Sequence, residues 1–163
     1  MAKNKEEKTN VMRVLEQKKI AYTAHTYPHE EGVAVDGVTV AQSMGFDPAI
    51  VFKTLVARGA SKQYYVFDVP VAENLDLKKA AKAVGEKSIE MIHQKELLPL
   101  TGYVHGGCSP VGMKKLFPTV FHETAENLET MIVSAGKIGY QVELSPRDLA
   151  ALVRAKFADI IVE

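Results

Sequence analysis

The chain has 163 residues, 47% of them apolar and 25% charged, and its 20 Lys plus Arg balance its 20 Asp plus Glu. Zero net charge argues against strong autonomous binding to a long nucleic acid, which draws on excess cations to neutralise phosphates. It leaves room for a pocket that takes a few nucleotides. A single cysteine excludes an internal disulfide and fits a reducing compartment. No apolar run is long enough to span a bilayer, and "MAKNKEEKTN" lacks the apolar core of a signal peptide. A cytoplasmic protein is expected, with one domain over residues 9–163 behind a flexible extension at 1–8.

In chain order, Thr9 is placed to cap a helix carrying Val11, Val14 and Leu15 along one side. "AYTAHTY" alternates as a strand and stops at Pro28, and residues 29–38 read as a loop. "TVAQSMG" reads as a short helix ending at Gly45, and "DPAI" puts a capping Asp before Pro. "VFKTLVAR" and "QYYVFDV" form a hairpin turned at Gly59 to Lys62. "DLKKAAKAVG" gives the cleanest helix signal, capped by Asp76 and ended by Gly85. Short strands are expected at "SIEMI", "GYVH", "PTVFH", "ETMIV" and "YQVEL". "SPRD" then opens a helix with Pro at its first position, and "FADIIV" closes the chain as a strand. Roughly seven or eight strands and four or five helices, neither alternating nor segregated, predict an α+β fold with a mixed, strongly curved, barrel-like sheet flanked by helices.

Lys53 lies in a strand whose two faces are both largely apolar, so it must snorkel to an edge, meet a partner, or stand as a cation on the floor of a pocket. "GGCSPVG", residues 106–112, packs three glycines and a proline into seven positions. It is either a plain strand-to-helix turn or a cradle in which backbone N–H groups converge on a ligand. Gly107 and Gly112 have the spacing of a nucleotide-triphosphate loop, but Met113 stands where the lysine belongs and Pro110 removes a donor, so that chemistry is rejected. Cys108 has His105 nearby, yet no helix N-terminus is aimed at it. A small apolar packing role is weighed above a nucleophile. "SAGKIG", residues 134–139, is a second Gly-rich turn carrying Ser134 and Lys137; it is a hairpin turn, or a second wall of the same pocket if the two loops meet. The five histidines are scattered and no cysteine cluster joins them, so neither a metal site nor a cofactor is expected.

"HTYPH", "VFKTL", "LDLKKAAKAVG", "TGYVHGGCSPVG" and "SAGKIG", in this order, resemble the YbaK/EbsC family, free-standing relatives of the editing domain inserted in bacterial prolyl-tRNA synthetases. The resemblance runs from the first helix to the C-terminus and is nearest the branch that deacylates Cys-tRNA(Pro). It implies the removal of cysteine from mischarged proline tRNA, with the tRNA 3′ end as substrate and prolyl-tRNA synthetase as partner. It also implies that the substrate's own thiol attacks its carbonyl and leaves as a thiolactone. The catalytic work would fall to Lys53, Gly106 and Gly107, and substrate contacts to Tyr27, Thr54, Pro110, Ser134, Gly136 and Lys137. Three positions depart from the family pattern: Cys108 for an aliphatic residue, Ala135 for a glycine and Ile138 for an arginine. Cys-tRNA(Cys) as a further substrate, water as the nucleophile, an editor of Ala-tRNA(Pro), and a nucleotide- or oligonucleotide-binding module without turnover stand as alternatives.

Overall fold

The computed structural model describes residues 8–30 and 33–163. Most of the extension expected at 1–8, and Glu31 and Gly32 of the expected loop, lie outside the described residues.

Thr9 accepts the Met12 N–H at 3.3 Å and opens α1 (Asn10–Gln17), which buries Val11 and Leu15 completely. β1 (Tyr22–Thr26) follows. Asp36 caps α2 (Gly37–Met44), two residues earlier than the apolar pattern suggests, and Gly45 ends it at φ 75°. A 3₁₀ turn over Pro48–Ile50, capped by Asp47, leads into the hairpin β2 (Phe52–Gly59) and β3 (Tyr64–Pro70). α3 (Leu77–Val84) is capped by Asp76 and closed by Gly85, as its pattern predicts. Then come β4 (Ile89–Met91), α4 (Gln94–Thr101), β5 (Thr119–His122), β6 (Met131–Ser134), β7 (Tyr140–Leu144), α5 (Pro146–Val153) and β8 (Ala155–Ala158).

The fold is mixed α+β, and its strands divide into two sheets where one barrel-like sheet was expected. The smaller is antiparallel in the order β1-β7-β6; the larger is mixed in the order β4-β2-β3-β5-β8, with β3, β5 and β8 parallel. An isolated bridge from Val51 to Ile132 links them. The main core lies between the sheets and includes Leu15, Phe121, Met131, Val142 and Leu149. On the far face of the larger sheet, Phe67, Val69, Ala80 and Ile160 form a second core beneath α3. With both faces covered, β2 and β3 are apolar on both sides.

Three expectations are corrected. "GYVH" is not a strand: Gly102 ends α4 at φ 90°, and Tyr103 turns its ring inward instead of pairing. α4 itself was not foreseen, because Pro99 interrupts its pattern and the cap is His93, whose N–H is met by Glu96 at 2.9 Å. The last strand begins before "FADIIV". Arg154 at φ 58° turns the chain straight from α5 into β8, and Ile160 already donates its N–H to His122 Nδ1.

Candidate functional site

The β2 edge near Lys53 is not covered by β4, which pairs only from Ala57 to Gly59. The hairpin register directs the N–H and C=O of Lys53 and Leu55 toward β3, which turns the backbone groups of Thr54 outward from the sheet edge. Beside that edge lies a cavity of about 540 Å³, walled by the 34–37 segment, the Gly106–Cys108 stretch and the ends of β6 and β7. Lys53, Thr54, Tyr27, Gly106 and Ser134 line it. Gly107, Pro110, Gly136 and Lys137 do not, although their loops build its walls.

The Lys53 side chain makes no ion pair or hydrogen bond among the described residues. Desolvation pulls its pKa below the usual lysine value, partly opposed by the charges of Asp36 and Glu73. The side chain is half-buried and lines the cavity.

The two Gly-rich loops do meet. A Cβ on Gly107 would stand 3.1 Å from the Ile138 nitrogen, so the backbones touch where glycine allows. Gly106, at φ 90°, faces Ala34 so closely that a Cβ would fall 2.6 Å from the Ala34 Cβ. The Gly107 N–H closes a turn onto the Val104 carbonyl at 3.0 Å. It is therefore not open to a ligand as the sequence suggested, whereas the Gly106 N–H has no partner among the described residues. No helix follows this loop, against the strand-to-helix reading: residues 102–118 run without regular structure from α4 to β5.

Buried Tyr103 braces both loops. Its hydroxyl donates to the Val111 carbonyl, and its ring packs where Gly136, at φ 93°, leaves room. In the second loop the Ser134 Oγ accepts the Gly136 N–H at 3.0 Å, leaving the hydroxyl proton for the cavity. Lys137 lies over the Tyr140 ring at 5.4 Å. Ala135 and Ile138, the two departures from the family pattern here, are buried, and Ala135 joins the main core. Tyr27 is held by its N–H on the Gly139 carbonyl at 2.9 Å.

Cys108 lines the cavity but belongs to the main core, and burial together with the nearby Asp68 charge pushes its thiol up to about 12. It is a neutral packing group at physiological pH. Among the described residues no three His, Cys, Asp or Glu side chains cluster to hold a metal.

The sequence profile of the aminoacyl-tRNA editing domain matches residues 32–152. The chain belongs to this family. A relative from Enterococcus faecalis, provisionally named Cys-tRNA(Pro)/Cys-tRNA(Cys) deacylase EbsC, is 45% identical over 98% of both chains. A crystal structure described provisionally as a trans-editing enzyme for prolyl-tRNA synthetase superposes with a TM-score of 0.79 at 26% identity, over 94% of this chain and 95% of the other. The protein APE2540 superposes with a TM-score of 0.82 at 20% identity, over 93% and 99%, a likeness of fold alone. Among the described residues no helix is long and apolar enough to cross a membrane.

Two residues of this region escaped the sequence reading. Gln141 lines the cavity with a buried, unpartnered Oε1. Asp68 is fully buried behind Thr54 and has one unpartnered oxygen, Oδ2. A signal existed for Asp68, a lone acid in the apolar run "YYVFDVP". Gln141 had none, because alternation in "YQVEL" is met equally by a solvent-facing glutamine.

Proposed function

We propose that this chain is a trans-editing deacylase that removes cysteine from mischarged Cys-tRNA(Pro). The observation that carries the proposal is an unpaired, partly desolvated lysine, Lys53, in the same cavity as a glycine N–H left open at Gly106. The likeness to the Enterococcus faecalis protein and to the trans-editing crystal structure supports the choice of substrate.

The ester of an aminoacyl-tRNA is already reactive, so positioning and charge stabilisation suffice. The substrate thiol loses its proton and its sulfur attacks the ester carbonyl. The C–S bond forms, the bond to the ribose oxygen breaks, and that oxygen takes up the proton. The products are a cysteine thiolactone and free tRNA. Holding sulfur and carbonyl in an attack pose can supply up to ~10 kcal/mol. The Gly106 N–H serves the developing oxyanion, at ~3 kcal/mol for one donor. Lys53 adds positive charge in a pocket that partly desolvates it, where it acts on the terminal phosphate or ribose, or on the oxyanion itself. Tyr27, Thr54 and Ser134 contact the terminal adenosine and amino acid, while Pro110, Gly136 and Lys137 shape the loops that present them. Weak intrinsic tRNA affinity, expected from zero net charge, fits delivery through prolyl-tRNA synthetase.

Incubation with tRNA(Pro) carrying Cys, Ala or Pro, followed by identification of the released product, tests this. Thiolactone supports the self-attack route and free cysteine supports a water nucleophile. Release of alanine alone would make the chain the other editor. No release from any of the three would leave a binding module.

A further inference from the structure

Resting on the reading just given, the inference concerns what lies behind the cavity wall. Thr54 and Asp68 are cross-strand partners on β2 and β3, on the sheet face shared with Val66 and Phe121 of the main core. The Thr54 hydroxyl donates to Asp68 Oδ1 at 2.5 Å. Asp68 is completely buried, does not itself line the cavity, and its carboxyl has no other hydrogen-bond partner among the described residues. A carboxylate kept in a core against its desolvation cost, with no ion pair, calls for a role.

A threonine hydroxyl has one proton and two lone pairs. While its proton goes to Asp68, Thr54 offers the cavity lone pairs only. If Asp68 is protonated and donates instead, the Thr54 proton is free to face the cavity. We propose that Asp68 is a positioning residue that sets the hydrogen-bond polarity of Thr54, so that the cavity takes a donor group of the aminoacyl end, its α-ammonium or its thiol, at this point.

The environment supports a working proton here. Burial pushes the Asp68 carboxyl up to about 7, against the opposing bond from Thr54. No charged group acts on Asp68 among the described residues. Cys108, from the Gly-rich loop, is the titratable neighbour, and it stays a neutral thiol through this range. The acidic charges acting on Lys53 are those of Asp36 and Glu73. The cavity is also lined by His105, and the ligand carries its own amino and thiol groups, so the part of a pH effect that belongs to Asp68 is read from the ratio of wild type to Asp68→Asn.

The test is the affinity of 3′-cysteinylamido-adenosine, in which an amide replaces the cleavable ester, for the wild-type chain, Thr54→Val, Asp68→Leu, the double variant and Asp68→Asn. Each of the first two substitutions should weaken binding about tenfold, the worth of one hydrogen bond. The double variant should be no weaker than either single one. Asp68→Asn, close in shape and still an acceptor, should bind at pH 8 within about threefold of wild type. The ratio of wild-type to Asn-variant affinity should rise as pH passes upward through about 7. An analogue lacking the α-amino group and an alanyl analogue identify which donor Thr54 receives, by which of them is insensitive to Thr54→Val. Additive losses, a pH-independent ratio, or no binding by the wild type would each overturn the proposal. Wild-type deacylation of Cys-tRNA(Pro), measured separately, decides the proposed function independently: an active enzyme with an additive cycle loses only this inference.

Discussion

The Thr54 hydroxyl meets the Asp68 carboxyl at 2.5 Å across the β2–β3 hairpin, one residue exposed to the cavity and the other sealed in the core. The folded chain holds the Asp68 proton more tightly than the unfolded chain, with a pKa near 7 against the usual 3.8. Stability contributed by this group is therefore complete only below the unfolded value of 3.8, declines as pH rises toward 7, and stays reduced above it. Wild type should lose up to ~4 kcal/mol relative to Asp68→Asn between pH 4 and pH 8. Urea unfolding of both proteins at the two pH values checks this; parallel curves would contradict it.

Lys53→Met should lower deacylation about 10²-fold or more without lowering the thermal midpoint. The charge sits where desolvation opposes it, so its removal does not cost stability. Calorimetry beside the tRNA assay separates the two effects. An active variant would remove Lys53 from the mechanism.

Gly106→Ala should destabilise the fold by about 1–3 kcal/mol and impair activity. The new Cβ meets Ala34 at 2.6 Å, and the backbone stays at φ 90°. Adding Ala34→Gly should restore part of the stability, since it removes the shortest contact and leaves the Ala34 Cα at 3.1 Å and the backbone strain. Denaturant midpoints of the single and double variants give the answer, and the absence of any rescue would contradict the steric account.

Cys108→Val should retain near-wild-type deacylation, because the thiol is buried and held up near 12. In the native wild type a thiol reagent at pH 8 should label Cys108 slowly, and rapidly once the chain is unfolded in guanidinium. Loss of activity in a folded valine variant would restore the cysteine as a nucleophile.

Tyr103→Phe leaves the buried Val111 carbonyl without its donor, at a cost of about 1–3 kcal/mol. The same hydroxyl stands beside Gly112 and the ring that it anchors packs beside Gly136, so hydrogen exchange should quicken in both Gly-rich loops together. Faster exchange in one loop alone would argue against a shared brace.

Local chemistry made much of this molecule readable in advance. Thr9, Asp47, Asp76 and Ser145 cap where their side chains can reach the next N–H groups, and Gly45 and Gly85 end helices because they adopt a left-handed backbone at no steric cost. Lys53 was singled out because a charge between two apolar faces needs a reason, and that reason is visible in sequence. α4 was not, because Pro99 hides its period, and "GYVH" misled because an apolar–aromatic run satisfies a strand pattern even where no neighbouring strand exists.

By itself the sequence determined the caps at Thr9, Asp47, Asp76 and Ser145, the β2–β3 hairpin, the suspicion over Lys53 and the family, since each depends on residues near one another or on an ordered set of motifs. Only the tertiary structure decided that the two Gly-rich loops touch, that the Gly107 N–H is engaged while Gly106 faces the cavity, and that Asp68 stands behind Thr54. These depend on which strands pair and which edge stays open. Pairing joins residues far apart in the chain, and the burial that gives a carboxyl or a thiol its chemistry exists only once the core has closed around it.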